Sequence, residues 1–394
     1  MIALRICSIK LLFTASNFVM PFAALFIAKH YSLETAATAV WVTVFSLCYL
    51  GGNLAGGYVG DKFQSRKLLR VFALSSTLCI LVSILTNSAL AGLGVLSIFS
   101  CMAGAASPVL SNYLSNSVGE WDREKAFGNL YLAHNLGIAV VFVVGGFLLD
   151  RSTVYPLHFF GVVSVLCCLG TLALTQDDQQ PRTATAQNIH NSSLRLPILL
   201  LGSFVLFFGL AFLDAQREYQ LPVWLQTLNA ANSASWFGTI GIINAVVVLL
   251  MTRHIVRWCE GRSPILNMGL AGLFYAVGFG LYFLFSGFYA VLTLVVVWSI
   301  GEIIGATYMN VFISKNAPAQ YRAKLFSLIP VVLTLGKILS ISTTTAVAAR
   351  FNIDTGWLLA AAVGIASAFF SLALGRSTIK AHRHDKARHT ATTL

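Results

Sequence analysis

Charge is what this sequence has least of. Asp, Glu, Lys and Arg make up only 10% of its 394 residues, against 57% hydrophobic, and mean hydropathy is +0.77. An ordinary soluble globule carries about 25% charged residues, so that class is excluded. Cysteine is sparse as well. There are seven, none in a Cys-x-x-Cys spacing, which argues against a thiol redox pair and leaves them as small core hydrophobes. His382, His384 and His389 come with no Cys or carboxylate set, so no metal site is expected. No nucleophile–base or metal-ligand spacing marks an enzyme, and no cofactor is expected. The first apolar run lacks a clear small-residue cleavage site and reads as a span rather than a cleaved signal.

What is there is one apolar run after another. Twelve approach the roughly 20 residues that cross a bilayer: 10–29, 36–58, 71–89, 91–114, 127–149, 156–175, 196–226, 235–257, 265–286, 289–313, 325–348 and 355–375. Lipid offers no water to backbone N–H and C=O groups, so such runs must be helices. The expected fold class is an all-α membrane protein with twelve transmembrane helices in two six-helix pseudo-repeats. Residues 1–175 form the first bundle and 196–375 the second. The polar stretch 176–195 reads as a flexible cytoplasmic linker, and 376–394 as a basic cytoplasmic tail.

The repeat is visible in register. Arg123, Lys125, Phe127, Leu136 and Gly137 map without a gap onto Arg322, Lys324, Phe326, Leu335 and Gly336, an offset of 199 residues. Two related halves in a membrane are the pattern of a secondary transporter. With both termini in the cytoplasm, all but five of the 26 Lys and Arg fall on the cytoplasmic side. The five are Lys29, Arg151, Arg217, Lys337 and Arg350. The net charge of +12 therefore reflects topology and anionic lipid, with no nucleic-acid partner expected. The location this implies is the plasma (inner) membrane of a bacterial-type cell.

An ionisable side chain at mid-bilayer costs roughly 2.5–3.5 kcal/mol or more, so each is a functional candidate. Glu302 lies about 20 Å into the tenth run and Lys337 about 18 Å into the eleventh, counted from the opposite face. The similar depths suggest an ion pair that protonation of Glu302 would break; Lys337 as a clamp for an anionic substrate group is the alternative. Asp214, Arg217 and Glu218 stand at i, i+3 and i+4, hence on one helix face. Counted from the start of the seventh run they fall near its outer end, with Pro222 expected to kink the helix. His134 could relay protons. The proton-coupling candidates are thus Glu302, Asp214, Glu218 and His134. Trp298, one turn before Glu302, could line an apolar pocket. Most other tryptophans suit interfacial belts.

Gly57, Asp61, Lys62, Arg66 and Lys67, in the stretch Gly56-Gly57-Tyr58-Val59-Gly60-Asp61-Lys62-Phe63-Gln64-Ser65-Arg66-Lys67, resemble the loop signature of the major facilitator superfamily, with Gln64 replacing a glycine. Asp122 to Gly128, Asn135-Leu136-Gly137 and Gly145-Gly146 are similar to its efflux-type drug and metabolite proton antiporters. Ala317 to Arg322 resembles the matching loop of the second half. The Gly-Pro pair that proton-coupled exporters carry in the fifth helix is absent, as is an arginine in the fourth. The resemblance implies a gating contact from Asp61 to the start of the eleventh helix, with Gly57, Lys62, Arg66, Arg123 and Arg322 as its neighbours. Glycines 51, 52, 56 and 57 are expected to give the second helix a small-residue face. The resemblance also implies a cavity lined by the first, fourth, seventh and tenth helices. On that lining Asn17, Asn112, Asp214, Glu218, Glu302 and Asn310 are the expected contacts, and Arg217, Trp298 and Lys337 join Asn17, Asn112 and Asn310 as substrate candidates for their charge or their place beside Glu302.

The reading that follows is a monomeric secondary transporter that moves a small organic molecule by alternating access, with proton-coupled efflux favoured. A rival is uptake or export of one metabolite, such as a peptide, sugar or siderophore-like chelator. A rival of another class is a membrane sensor or scaffold, against which the mid-bilayer Glu302 and the intact repeat both argue.

Overall fold

The structure, a computed structural model, describes residues 2–86, 88–117, 123–174, 198–316 and 319–392. Among these, all regular structure is helical, and twelve helices are long and apolar enough to cross a membrane. The linker 176–195 lies outside the described residues. Contacts divide the chain into two compact units, one from Met1–Ser192 with Leu221–Ile242, the other from Ser193–Gln220 with Ile243–Leu394. The division follows the repeat except for one stretch of the second half, which joins the first unit.

In the first unit, α1 (Ile2–Ser16) and α2 (Val19–His30) make up one span, Leu4–His30, interrupted at Asn17 and Phe18. Asparagine competes with the backbone for hydrogen bonds and so tolerates such a break. Its N–H tightens back onto Thr14 O at 3.1 Å. The spans α3 (Thr35–Lys62), α4 (Ser65–Leu85), α5 (Ala89–Ser117), α6 (Arg123–Arg151) and α7 (Tyr155–Leu172) follow. The small-residue face of α3 is real but shifted from the expected set. A Cβ at Gly52 or Gly56 would collide with the α5 backbone at Cys101 and Ala105, and one at Gly60 would press on Val109, whereas Gly51 and Gly57 face open space. Spacing by four keeps Gly52, Gly56 and Gly60 on one side of the helix, where two backbones can approach. Arg70 on α4 donates to the carbonyls of Thr171, Leu172 and Leu174 at 3.1–3.3 Å, closing the C-terminal end of α7.

The second half opens with α8 (Ile198–Asp214), a 3-10 turn (Ala215–Arg217) and α9 (Gln220–Leu228), which together form the span Leu199–Leu228. Pro222 is not the cause of the break. It stands in the first turn of α9, where its missing N–H is harmless, and the helix departs from α geometry upstream. Then come α10 (Ser233–Cys259), α11 (Pro264–Gly280), α12 (Phe288–Asn316), α13 (Ala319–Arg350) and α14 (Thr355–Thr392), the last continuing into the basic tail.

α9 and the start of α10 belong to the first unit by contact. Asp150, at the end of α6, accepts the N–H groups of Ala234 at 3.1 Å and Ser235 at 2.6 Å, the first donors of α10. Lys29 on α2 pairs with the same carboxylate at 2.6 Å. An anion at a helix N-terminus is stabilised by the unpaired N–H groups there. Phe22 also meets Phe237 of α10 edge-on, with centroids 5.2 Å apart.

Within the second unit, Gly272 of α11 and Gly364 of α14 meet backbone to backbone. Beside them Phe279 stacks on both Trp298 and Trp357. The repeat seen in the sequence is also a repeat of contacts. Gly137 of α6 lies so close to α1 that a Cβ would come 2.8 Å from Leu11 O, and Gly336 of α13 lies so close to α8 that a Cβ would come 2.9 Å from Phe212 N.

Candidate functional site

The densest group of charges sits in the second unit, around the 3-10 turn. Arg217 is its centre. Its Nη2 donates to Asp214 Oδ2 at 3.3 Å, and its Nε lies 3.2 Å from Asp214 Oδ1 as an ion pair without hydrogen-bond geometry. Nη1 reaches Glu302 Oε1 on α12 at 3.4 Å, and Nη2 stands 3.9 Å from Glu218 Oε1. Lys337 on α13 takes the other oxygen of Glu218 at 2.6 Å. Tyr275 on α11 donates to Asp214 Oδ1 at 3.1 Å, and Asn244 on α10 donates to Glu302 Oε2 at 2.7 Å. Five spans therefore converge on one polar island inside an apolar bundle.

Sequence depth alone pairs Glu302 with Lys337; the structure does not. Glu218 takes the lysine, and Glu302 faces Arg217 and Asn244 instead. The outer-end position of Asp214 to Glu218 is also revised. The span runs on to Leu228, so these residues lie near its middle. The turn is tied to α13, where Thr344 Oγ1 lies 3.4 Å from both Gln216 Oε1 and Gln220 Oε1, and Tyr219 bonds Thr345 at 3.0 Å.

With every group ionised, three carboxylates face two cations and one negative charge is left over. In a medium of low dielectric that residual charge is costly, and one proton removes it. The carboxylates are not equally compensated. Asp214 has a hydrogen bond from the arginine and another from a tyrosine, and Glu218 has a lysine at 2.6 Å. Glu302 has one longer arginine contact and a neutral amide.

A second polar site lies in the first unit, in a cavity of about 50 Å³ lined by Lys10, Thr14, Asn17, Ser107 and His134 among others. His134 Nδ1 lies 3.1 Å from Thr14 Oγ1, and Lys10 Nζ lies 3.5 Å from Ser107 Oγ. Lys10 reads from sequence as a terminal charge because the first apolar run starts there; the helix starts at Ile2 and the span at Leu4, which carries Lys10 inside.

The other candidates separate. Asn112 donates to Gly60 O at 3.0 Å and joins α5 to α3. Asn310 is exposed and bonds its own helix at Ala306 O, 2.7 Å away, so it does not converge on the charged island. Trp298 is 1% exposed and donates its indole N–H to Tyr282 at 3.0 Å within the aromatic stack, which makes it a packing residue rather than a pocket wall. Trp224 and Trp357 are likewise buried in protein rather than placed in a belt. Lys62 donates to the Tyr58 hydroxyl and sits 4.1 Å from that ring's centroid, both exposed, while Arg66 is half-buried at the start of α4. The side chains of Asp61, Arg123 and Arg322 lie outside the described residues. Tyr275 and Lys10 are the functional candidates that the sequence reading leaves out, and Asn244, which reads from sequence as interhelical glue, is placed on Glu302. A span measured from Ile2 would have exposed Lys10; nothing in the sequence points Tyr275 at Asp214. Among the described residues, no group of three or more His, Cys, Asp or Glu is placed to hold a metal.

Comparison with known proteins bears on what such a molecule is. The Major Facilitator Superfamily model matches residues 6–341. The chain is similar to the uncharacterized MFS-type transporter YqjV of Bacillus subtilis, 21% identical over 332 residues, covering 80% of this chain and 78% of the relative. It is also similar to a Na(+), Li(+), K(+)/H(+) antiporter of Planococcus maritimus, 22% identical over 356 residues, covering 82% and 83%. Among solved structures, a peptide transporter POT bound to sulfate superposes with a TM-score of 0.80 at 14% identity, covering 96% of this chain and 94% of that one. A mutant of the nucleoside transporter NupG gives 0.77 at 14% identity, covering 95% and 100%. At that identity the likeness to the solved structures is one of fold.

Proposed function

The chain belongs to the Major Facilitator Superfamily, a family of membrane transporters, and on that basis we propose that it is a proton-coupled secondary transporter that exports a small organic molecule. The observation that carries the reading is the island around Arg217, with three carboxylates against two cations and Glu302 the least compensated of the three. Glu302 is the proton carrier in this scheme. When it is ionised, Arg217 is shared between Glu302, Asp214 and Glu218. When a proton neutralises it, Arg217 is left to Asp214 and Glu218, and the 3-10 turn that carries Arg217 is free to settle differently. A turn of this kind in mid-span already lacks part of the α-helical hydrogen-bond ladder, so it is the cheapest place for a span to bend. The unit that carries the turn then rocks to give alternating access. Both termini are cytoplasmic in this reading, because that placement gathers the basic loops on one side of a plasma membrane. Export follows the resemblance of the loops to efflux-type antiporters.

A second reading is favoured by one relative. The similar Planococcus protein is named as a monovalent-cation/proton antiporter, and a residual negative charge also suits an alkali cation as the exported species.

The test uses inverted membrane vesicles with an inside-acid gradient, followed with a pH dye. Organic cations, carboxylates, sugars, peptides and the chlorides of sodium, lithium and potassium are added in turn. Proton release evoked by an organic compound in wild type and lost in Glu302→Gln is the expected result. Release evoked only by alkali chlorides moves the assignment to the second reading. Equal release in wild type and Glu302→Gln removes Glu302 as carrier.

A further inference from the structure

We propose that the cavity of the first unit binds the carboxylate of a hydroxy- or amino-substituted organic acid, with Lys10 as its counter-ion. The proposal names the substrate class and rests on the reading of the chain as a transporter of small organic molecules.

Lys10 differs from Lys29, Arg217 and Lys337, which lie within spans and each face a carboxylate. Lys29 has Asp150, Arg217 has three carboxylates and Lys337 has Glu218. Among the described residues Lys10 has no carboxylate within reach, none lines its cavity, and its one hydrogen bond is the 3.5 Å contact with Ser107 Oγ. A half-buried ammonium with three donors and one weak acceptor is an incomplete site. Charges buried in proteins are normally paired, so the missing partner is an anion. One cation calls for a single negative charge, which selects a carboxylate over a phosphate dianion.

The rest of the lining adds specificity. His134 is anchored by Thr14 at Nδ1, and its Nε2 is left for another partner. The Ser107 hydroxyl can also donate. These groups, with Lys10, offer donors to two carboxylate oxygens. Asn17 is different, since its Oδ1 is buried with no hydrogen-bond partner. An orphaned acceptor beside a donor-rich pocket calls for a ligand that itself carries an O–H or N–H next to its carboxylate. The cavity, at about 50 Å³, admits that end of a solute rather than a large body.

The absence of the same chemistry in the other repeat supports a dedicated role. At the offset of 199 residues, Lys10 corresponds to Gly209, Ser107 to Ala306 and His134 to Leu333. Lys10, Ser107 and His134 are therefore particular to the first half, whereas Asn17 keeps an amide counterpart in Gln216.

The test is thermal stabilisation of the full chain in detergent, at fixed pH and ionic strength, with lactate, propionate and lactamide as probes. Lactate is expected to raise Tm most, propionate less, and lactamide not at all. Lys10→Gln should weaken lactate about tenfold or more, with Lys10→Arg keeping most of it. Asn17→Ala should erase the difference between lactate and propionate, and it reports on the site even if Lys10→Gln fails to fold. Lactamide matching lactate, or lactate binding unchanged in Lys10→Gln, overturns the assignment of Lys10. Propionate matching lactate in wild type overturns that of Asn17. No response to any probe overturns the carboxylate site. The measurement needs no gradient, so its failure leaves proton coupling through Glu302 standing, and failure of that coupling leaves this result unchanged.

Discussion

Asn17 and Gln216 stand 199 residues apart, the offset that carries Arg123 onto Arg322, and each lies where its span leaves α-helical geometry. Each also has one buried side-chain polar atom without a partner, Oδ1 of Asn17 and Nε2 of Gln216. Interrupted helices at corresponding positions of two repeats are the feature that marks binding regions in secondary transporters. The charged island and the Lys10 cavity are built around these two interruptions.

An unpaired buried polar atom costs about 1–3 kcal/mol, and a transported solute would satisfy it. Asn17→Leu and Gln216→Leu should therefore each keep or raise thermal stability while raising the transport KM several-fold. Unfolding in detergent and uptake into vesicles check the two halves of that expectation. A fall in stability in both variants would show that the amides serve the fold instead.

Glu218 and Lys337 form the shortest ion pair of the island. Removing one partner of a fully buried pair costs about 3–5 kcal/mol because the other charge is stranded, and this pair should cost less, since the Glu218 side chain is 36% exposed. Lys337→Met and Glu218→Gln should each lower Tm markedly. The double variant should recover most of the loss, and the coupling read from the cycle should exceed about 1 kcal/mol.

Glycine is required at some positions and not at others. Gly137→Val and Gly336→Val force a side chain into a neighbouring helix, and overpacking costs typically about 1–3 kcal/mol. Both should lose stability, since each glycine packs against the backbone of the corresponding helix, α1 or α8. Gly57→Ala meets open space and should leave the fold intact. A loss of transport in that variant would then report on movement of the loop that follows α3.

Asp150 closes the start of α10 and pairs with Lys29. Asp150→Ala removes both an N-terminal cap and an ion pair and should cost about 2 kcal/mol or more. Lys29→Met keeps the cap and removes the lysine's charge. Chemical unfolding followed by tryptophan fluorescence should rank wild type above Lys29→Met and Lys29→Met above Asp150→Ala.

Length and apolar content alone determined that this chain crosses a bilayer twelve times, because unsatisfied backbone groups leave helices as the only way for such runs to cross. The internal register determined that Gly137 and Gly336 do the same work, since a shared spacing of small residues imposes a shared helix contact. Sequence also singled out Glu302, Arg217 and Lys337, because charge is conspicuous where it is expensive. It could not pair them. Depth along a helix is a single coordinate, and two residues at equal depth can face any direction, so Glu302 and Lys337 look like partners until Glu218 is seen on the lysine. Trp298 looked like a pocket residue for the same reason, and packing turned it inward onto Phe279. Lys10 is legible in sequence once the first span is counted from Ile2, whereas Tyr275 and Asn244 acquired their charged partners only in three dimensions. Their chemistry depends on which side chain lies across from them, and contact across helices is set by tertiary packing rather than by position in the chain.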